Sequence, residues 1–222
     1  MSQNTEASYT PNMQVTNRYL PLAERIPNPH SDEKRVTNNQ HIHDNEVTKK
    51  ALILCNSHIR YIRTDNFLQS CVVHKYTSYS MSEMEDKLQE LDTDYDSIFF
   101  HVFTNNIRAE TPEVFIQKFE SFCQKLRNHC QFAKLIISLP FFSVNDQNLN
   151  QKISQCNVLL QYIFLRSSEV DICENSAFSS RGQAIRRFFI SDGLHLATQG
   201  TSLFVANIAN IILAQKNFTY QI

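Results

Sequence analysis

The stretch "SDGLHLATQG" (191–200) places Asp192 three residues ahead of His195, and two of the chain's three glycines, Gly193 and Gly200, fall inside it. A carboxylate at that spacing can hold one ring nitrogen of the imidazole and leave the other free to act as a base. Two further polar stretches could complete such a group: "CNSHIR" (55–60), with Ser57, and "TNNI" (104–107), with Asn105. Serine becomes a nucleophile when a histidine takes its proton, and the anion formed on an attacked carbonyl needs donors aimed at it. A hydroxyl, an amide and a His–Asp pair are the set that acyl transfer requires. Each also has a plain structural reading. A serine after a strand is commonly a turn residue or a helix N-cap. Asn105 and Asn106 can simply terminate a strand. Asp192 and His195 can form a capping turn before the helix that reads from Thr201 to Ala214.

These residues meet only if the elements between them bring them together. The apolar runs "ALILC" (51–55), "CVVHKY" (71–76), "SIFFHVF" (97–103), "KLIISLP" (134–140) and "VDIC" (170–173) read as strands covered on both faces. Helical patterns lie between them. "MSEMEDKLQEL" starts behind Ser80 or Ser82. "TPEVFIQKFESFCQKLRNH" has Thr111 as N-cap, Pro112 at the first helical position, and Val114, Phe115, Phe119, Phe122 and Leu126 as its apolar residues. "NLNQKISQCNVLLQYIFLRS" carries Ile153, Val158, Leu159, Tyr162 and Ile163 on its apolar side. Strand–helix alternation predicts an α/β protein: a three-layer α/β/α sandwich with a five-stranded parallel sheet in the flavodoxin-like order 2-1-3-4-5. In such sheets function gathers at the carboxyl ends of the strands. Ser57 follows the first strand, Asn105 the third, and Asp192 and His195 come after the fifth across a loop.

Composition narrows the classes. A hydrophobic content of 42% supports a core, and a net charge of −1 gives no bulk electrostatic reason to bind nucleic acid or an anionic membrane. Six cysteines show no C-x-x-C spacing and fall largely in apolar runs, so buried reduced thiols are expected. Residues 1–20 lack an apolar leader, and "SLFVANIANIILA" is too short and too polar to span a bilayer, which makes the expected location cytoplasmic. Residues 1–48 read as a flexible polar tail or linker and 49–222 as the folded domain. Within the tail, "NRYLPLAERIP" (17–27) is a more apolar candidate docking segment. His41 and His43 lack the further ligands of a metal site and read as a solvated pair, so no metal or other cofactor is expected. His58, His74, His101 and His129 read as structural. There is no G-x-S-x-G elbow and no glycine-rich phosphate loop, which argues against an ordinary α/β-hydrolase and against nucleotide binding.

Taken in order, the motifs resemble those of the SGNH (GDSL-type) hydrolases. That family carries Gly-Asp-Ser after its first strand, Gly-x-Asn-Asp after its third, and Asp-x-x-His before its last helix. Here they stand as "CNS" (55–57), "FTNN" (103–106) and "DGLH" (192–195), within a resemblance that spans about residues 50–215. The resemblance implies Ser57 as nucleophile, His195 as base, Asp192 as its orienting carboxylate, and an oxyanion hole made by Asn105 and the Ser57 backbone N–H. The family's second-block glycine should fall near "YTSYSMSE" (76–83), where Ser78 or Ser80 would replace it; Ser80 is taken as the third oxyanion-hole member. A turn with φ > 0 would not tolerate that replacement. Cys55, Asn56, Phe103 and Asn106 also depart from the family's pattern. Two functions follow: a serine esterase acting on a small acyl or acetyl ester, or a catalytically impaired SGNH-fold binding module in an intracellular assembly. The form "S-H-x-R" and the upstream "NRYLPLAE" are similar to the esterase-bearing first-open-reading-frame proteins of some non-LTR retrotransposons. The expected partner is a small acyl-ester substrate, with no nucleic acid bound through the folded domain and no transmembrane segment.

Overall fold

A computed structural model describes residues 49–215, apart from 60, 61, 63, 65, 66, 69 and 166. The tail, with its "NRYLPLAERIP" segment and His41 and His43, lies outside the described residues.

Five strands form one parallel sheet: β1 (Lys49–Cys55), β2 (Cys71–Thr77), β3 (Ser97–His101), β4 (Lys134–Ser138) and β5 (Val170–Cys173). Their order is β2-β1-β3-β4-β5, as expected from the sequence. Successive side chains bury on opposite faces. Leu52, Leu54, Ile98 and Phe100 enter one apolar cluster, while Ala51, Ile53, Cys55 and Phe99 enter a second. β1, β3 and β4 are covered on both faces and read as continuous apolar runs, whereas the edge strand β2 exposes Val72 and β5 is only partly buried, so their apolar runs do not mark two covered faces.

The first cluster is closed by α1 (Met81–Lys87), α2 (Thr104–Ala109), α3 (Pro112–His129) and α4 (Gln147–Phe164), which insert Met84, Ile107, Phe119 and Ile153 among others. The second is closed by α5 (Thr198–Ala214) through Phe204, Ile208, Ile211 and Ile212. Three helix starts carry side-chain caps. Ser80, rather than Ser82, accepts from the Glu83 N–H; Thr111 accepts from Val114, with Pro112 next; Asp146 accepts from Leu149.

Four sequence expectations need correction. Strands β3 and β4 each stop two residues before their apolar runs do. Val102, Phe103 and Leu139 are buried in the turns beyond, so the runs mark burial rather than extended backbone. "TNNI" opens the short helix α2 instead of merely ending a strand. On α4 the inward stripe is Leu149, Ile153, Cys156, Leu160 and Phe164, and Val158 and Tyr162 face solvent. That helix has apolar residues on several sides, so its periodicity alone did not fix the buried face; Val114 on α3 is likewise largely exposed. Finally, α5 begins at Thr198, not Thr201, and takes Gly200 into its first turn. The six cysteines are free thiols; five are buried and Cys71 is partly so. No helix among the described residues is long and apolar enough to cross a membrane.

Candidate active site

Ser57 opens a 3-10 turn immediately after β1. The turn is shaped by Asn56, whose side-chain Oδ1 accepts from the His58 N–H at 3.0 Å. None of residues 55–57 has a positive φ, so this backbone does not require the glycine that Cys55 replaces.

Asp192 closes the turn that carries His195. Its Oδ1 accepts from the Leu194 N–H at 2.8 Å and from the His195 N–H at 2.9 Å. Its Oδ2 faces His195 Nδ1 at 2.7 Å. One carboxylate oxygen of Asp192 thus closes the local turn and the other holds the imidazole. Partial burial pushes the Asp192 carboxyl up, but the N–H groups of Leu194 and His195 together with the imidazole outweigh it and hold the group down at about 2. With Asp192 as acceptor the neutral ring keeps its proton on Nδ1, so Nε2 accepts the Ser57 hydroxyl, 2.8 Å away. The residues are 138 positions apart in the chain, and the sheet topology alone unites them. The Asp192 and His195 side chains are about two-fifths exposed, so the pair is open to solvent.

Both nearby glycines have steric reasons. Gly193 has φ +71, and a Cβ there would lie 2.7 Å from the Asn145 amide and 2.9 Å from Val144 Cβ. The 143–145 loop holds this turn through a 2.8 Å bond from the Val144 N–H to the Gly193 carbonyl. A Cβ on Gly200 would come within 2.2 Å of the Phe188 carbonyl oxygen, so α5 can pack there only if that position is bare.

The segment 78–81, where the sequence places Ser78 and Ser80, runs beside the end of β1. The Ser78 N–H donates to the Cys55 carbonyl at 3.0 Å, and the Tyr79 N–H to the Glu83 carboxylate at 2.8 Å. The Met81 N–H donates to Asn106 Oδ1 at 3.1 Å. The Ser80 N–H has only a 3.4 Å contact with Ser78 Oγ, at the weak limit of a hydrogen bond. Ser80 has φ −144, an ordinary extended value, so serine meets no backbone strain here. Asn105 sits in the first turn of α2, where one amide N–H donates to the Tyr79 carbonyl at 3.2 Å and leaves the other amide hydrogen available. Ser57, His195 and Asp192 are thus directly linked, while Asn105 and Ser80 stand at the same strand ends without a bond to them.

Two further side chains adjoin these groups. Glu83 binds both the Tyr79 N–H and the Ser78 hydroxyl, the latter at 2.7 Å. His58, read as structural, is buried beside Ser57 and donates from Nε2 to the Leu194 carbonyl at 3.0 Å. A cavity of about 490 Å³ lined by Lys49, Cys71, Asp96, Arg127 and Lys134 opens at the amino ends of the strands. It lies at the opposite edge of the sheet from Ser57, apart from the linked groups.

No family model matches the sequence, and no curated protein matches it significantly. Solved structures do match its fold. A GDSL-like lipase from Bacteroides thetaiotaomicron superposes with a TM-score of 0.62 at 14% identity, covering 77% of this chain and 89% of the other. A lipase/acylhydrolase from Enterococcus faecalis gives 0.60 at 15% identity, covering 75% and 96%. A member of the lipolytic G-D-S-L family from Veillonella parvula gives 0.61 at 12% identity, covering 74% and 98%. The chain has the α/β fold of the SGNH hydrolases.

Proposed function

We propose that this protein is a serine esterase that hydrolyses a small acyl or acetyl ester through a covalent acyl-enzyme. The observation that carries the reading is the continuous contact Asp192 Oδ2···Nδ1 His195 Nε2···Oγ Ser57, at 2.7 and 2.8 Å. Both links lie within the reach that proton transfer demands. In the first half-reaction Ser57 Oγ attacks the ester carbonyl as its proton passes to His195 Nε2. Asp192 stabilises the imidazolium that results. The negative oxygen is met by the Ser57 N–H, the Asn105 amide and the Ser80 N–H, whose long contact with Ser78 is the easiest to exchange. His195 then protonates the departing alkoxide, and the alcohol leaves. In the second half, His195 takes a proton from the water that attacks the Ser57 ester, then returns it to Ser57 Oγ as the acid leaves. The names borne by the structural neighbours, lipase and acylhydrolase, agree with this class of substrate.

The test is hydrolysis of p-nitrophenyl acetate by the full chain, with longer acyl chains alongside. We expect turnover of the acetyl ester that disappears in Ser57→Ala. Undiminished turnover in that variant would remove serine from the mechanism.

A further inference from the structure

Behind the Ser57–His195 contact lies a buried polar chain that the esterase mechanism does not use. His58 and His101 are both buried, with ring centroids 5.3 Å apart and planes at 73°. Each ring has one satisfied nitrogen. His58 Nε2 meets the Leu194 carbonyl at 3.0 Å, and His101 Nδ1 meets Ser138 Oγ at 2.9 Å. The other two, His58 Nδ1 and His101 Nε2, are buried and have no hydrogen-bond partner among the described residues. Asn175, at the end of β5, donates its amide to Ser138 Oγ and to the Leu139 carbonyl, both at 2.8 Å.

The chemistry of these atoms assigns the protons. A carbonyl only accepts, so His58 carries hydrogen on Nε2 and leaves Nδ1 bare. Ser138 Oγ accepts from Asn175 and can give its own hydrogen to His101 Nδ1. His101 then carries hydrogen on Nε2. The two partnerless nitrogens become one donor and one acceptor on neighbouring rings. The opposite tautomer of His101 would leave two bare lone pairs with no donor for either among the described residues.

On the esterase reading, we propose that His58 is a positioning residue for the acid–base turn, locked by a one-way hydrogen-bond chain from Asn175 through Ser138 and His101 to His58 and the Leu194 carbonyl. Neither nitrogen has a partner among the described side chains, so the His101–His58 link runs through one bridging water, which accepts from His101 Nε2 and donates to His58 Nδ1. His58 adjoins Ser57 in sequence, and Leu194 adjoins His195, so a single side chain ties the nucleophile's turn to the base's turn. Burial keeps both rings neutral near pH 7: it depresses His58 to about 4 and His101 well below its ordinary value. The titratable groups facing His58 are His195 and His101, at 5.7 and 5.3 Å between ring centroids, and Asp192.

Nitrogen NMR of the full chain labelled at histidine tests this directly. At pH 7 both rings should be neutral with hydrogen on Nε2; a His101 ring with hydrogen on Nδ1, or a charged ring, overturns the chain. Kinetics supply the second arm. His58→Leu should lower kcat on a short acyl ester about 10²-fold with KM unchanged, as small misplacements of reacting groups do. His58→Gln, whose amide can donate to the Leu194 carbonyl, should recover most of that rate and serves if the leucine variant folds poorly. Full activity in His58→Leu, or equal loss in both variants, overturns the positioning role. If the wild type turns over no ester, the esterase reading fails separately. The role is then decided by the His195 Nδ1–H resonance: its loss in His58→Leu supports the role, and its persistence unchanged overturns it.

Discussion

Ser57, His195 and Asn105 differ in what their loss should cost. Ser57→Ala or His195→Ala should abolish hydrolysis of a short acyl ester while leaving the thermal midpoint nearly unchanged, because both side chains are partly exposed. Asn105→Ala should retain weak activity, lowered roughly 10²–10³-fold if the amide is one of several oxyanion donors. His58 predicts an acid sensitivity. Its value is about 4 in the fold against 6.5 ordinarily, so between those pH values the unfolded chain binds more protons and stability falls as pH falls. For a ring this buried the loss approaches about 3 kcal/mol across the window, and urea titrations at pH 7 and pH 4.5 should differ accordingly, by less in His58→Gln. The linked trio was legible in the sequence because reactive types stood behind recognisable strand ends in a fixed order. His58 was not, since a lone histidine beside a serine has no period or spacing that separates a clamp from a core residue.

Among the elements, the short turns matter more to the site than the long helices do. Gly193→Ala combines a left-handed backbone with contacts under 3 Å to Val144 and Asn145. It should cost about 1–3 kcal/mol and lower turnover further by displacing Asp192 and His195. Gly200→Ala should also destabilise the fold, by about 1–3 kcal/mol, because the blocking atom is a backbone carbonyl that cannot rotate away. Thermal melts of the two variants, with turnover measured below each midpoint, separate these outcomes: Gly200→Ala should lose stability with less effect on rate. The strands and their order could be read from buried apolar runs. Helix α2 could not, because its six residues, TNNIRA, carry too few apolar positions to display a period. The start of α5 was misplaced for a related reason: Gly200 reads as a breaker, whereas its bareness serves a tertiary contact that no local pattern announces.

For the molecule as a whole, the sequence divides the chain at residue 48, and we expect the folded unit to need nothing before it. Residues 1–48 lack a periodic apolar face that could be buried. The chain shortened to 49–222 should therefore melt cooperatively within a few degrees of the full chain and keep its esterase rate; a broad, non-cooperative melt would show that the tail belongs to the fold. The most direct measurement on the whole protein is covalent labelling by a fluorophosphonate, which reacts with a serine only when a base and an oxyanion site activate it together. The account predicts one adduct per chain, located by peptide mass spectrometry on Ser57 and absent from Ser57→Ala and His195→Ala. A folded wild-type protein that stays unlabelled, or that is labelled elsewhere, would contradict it.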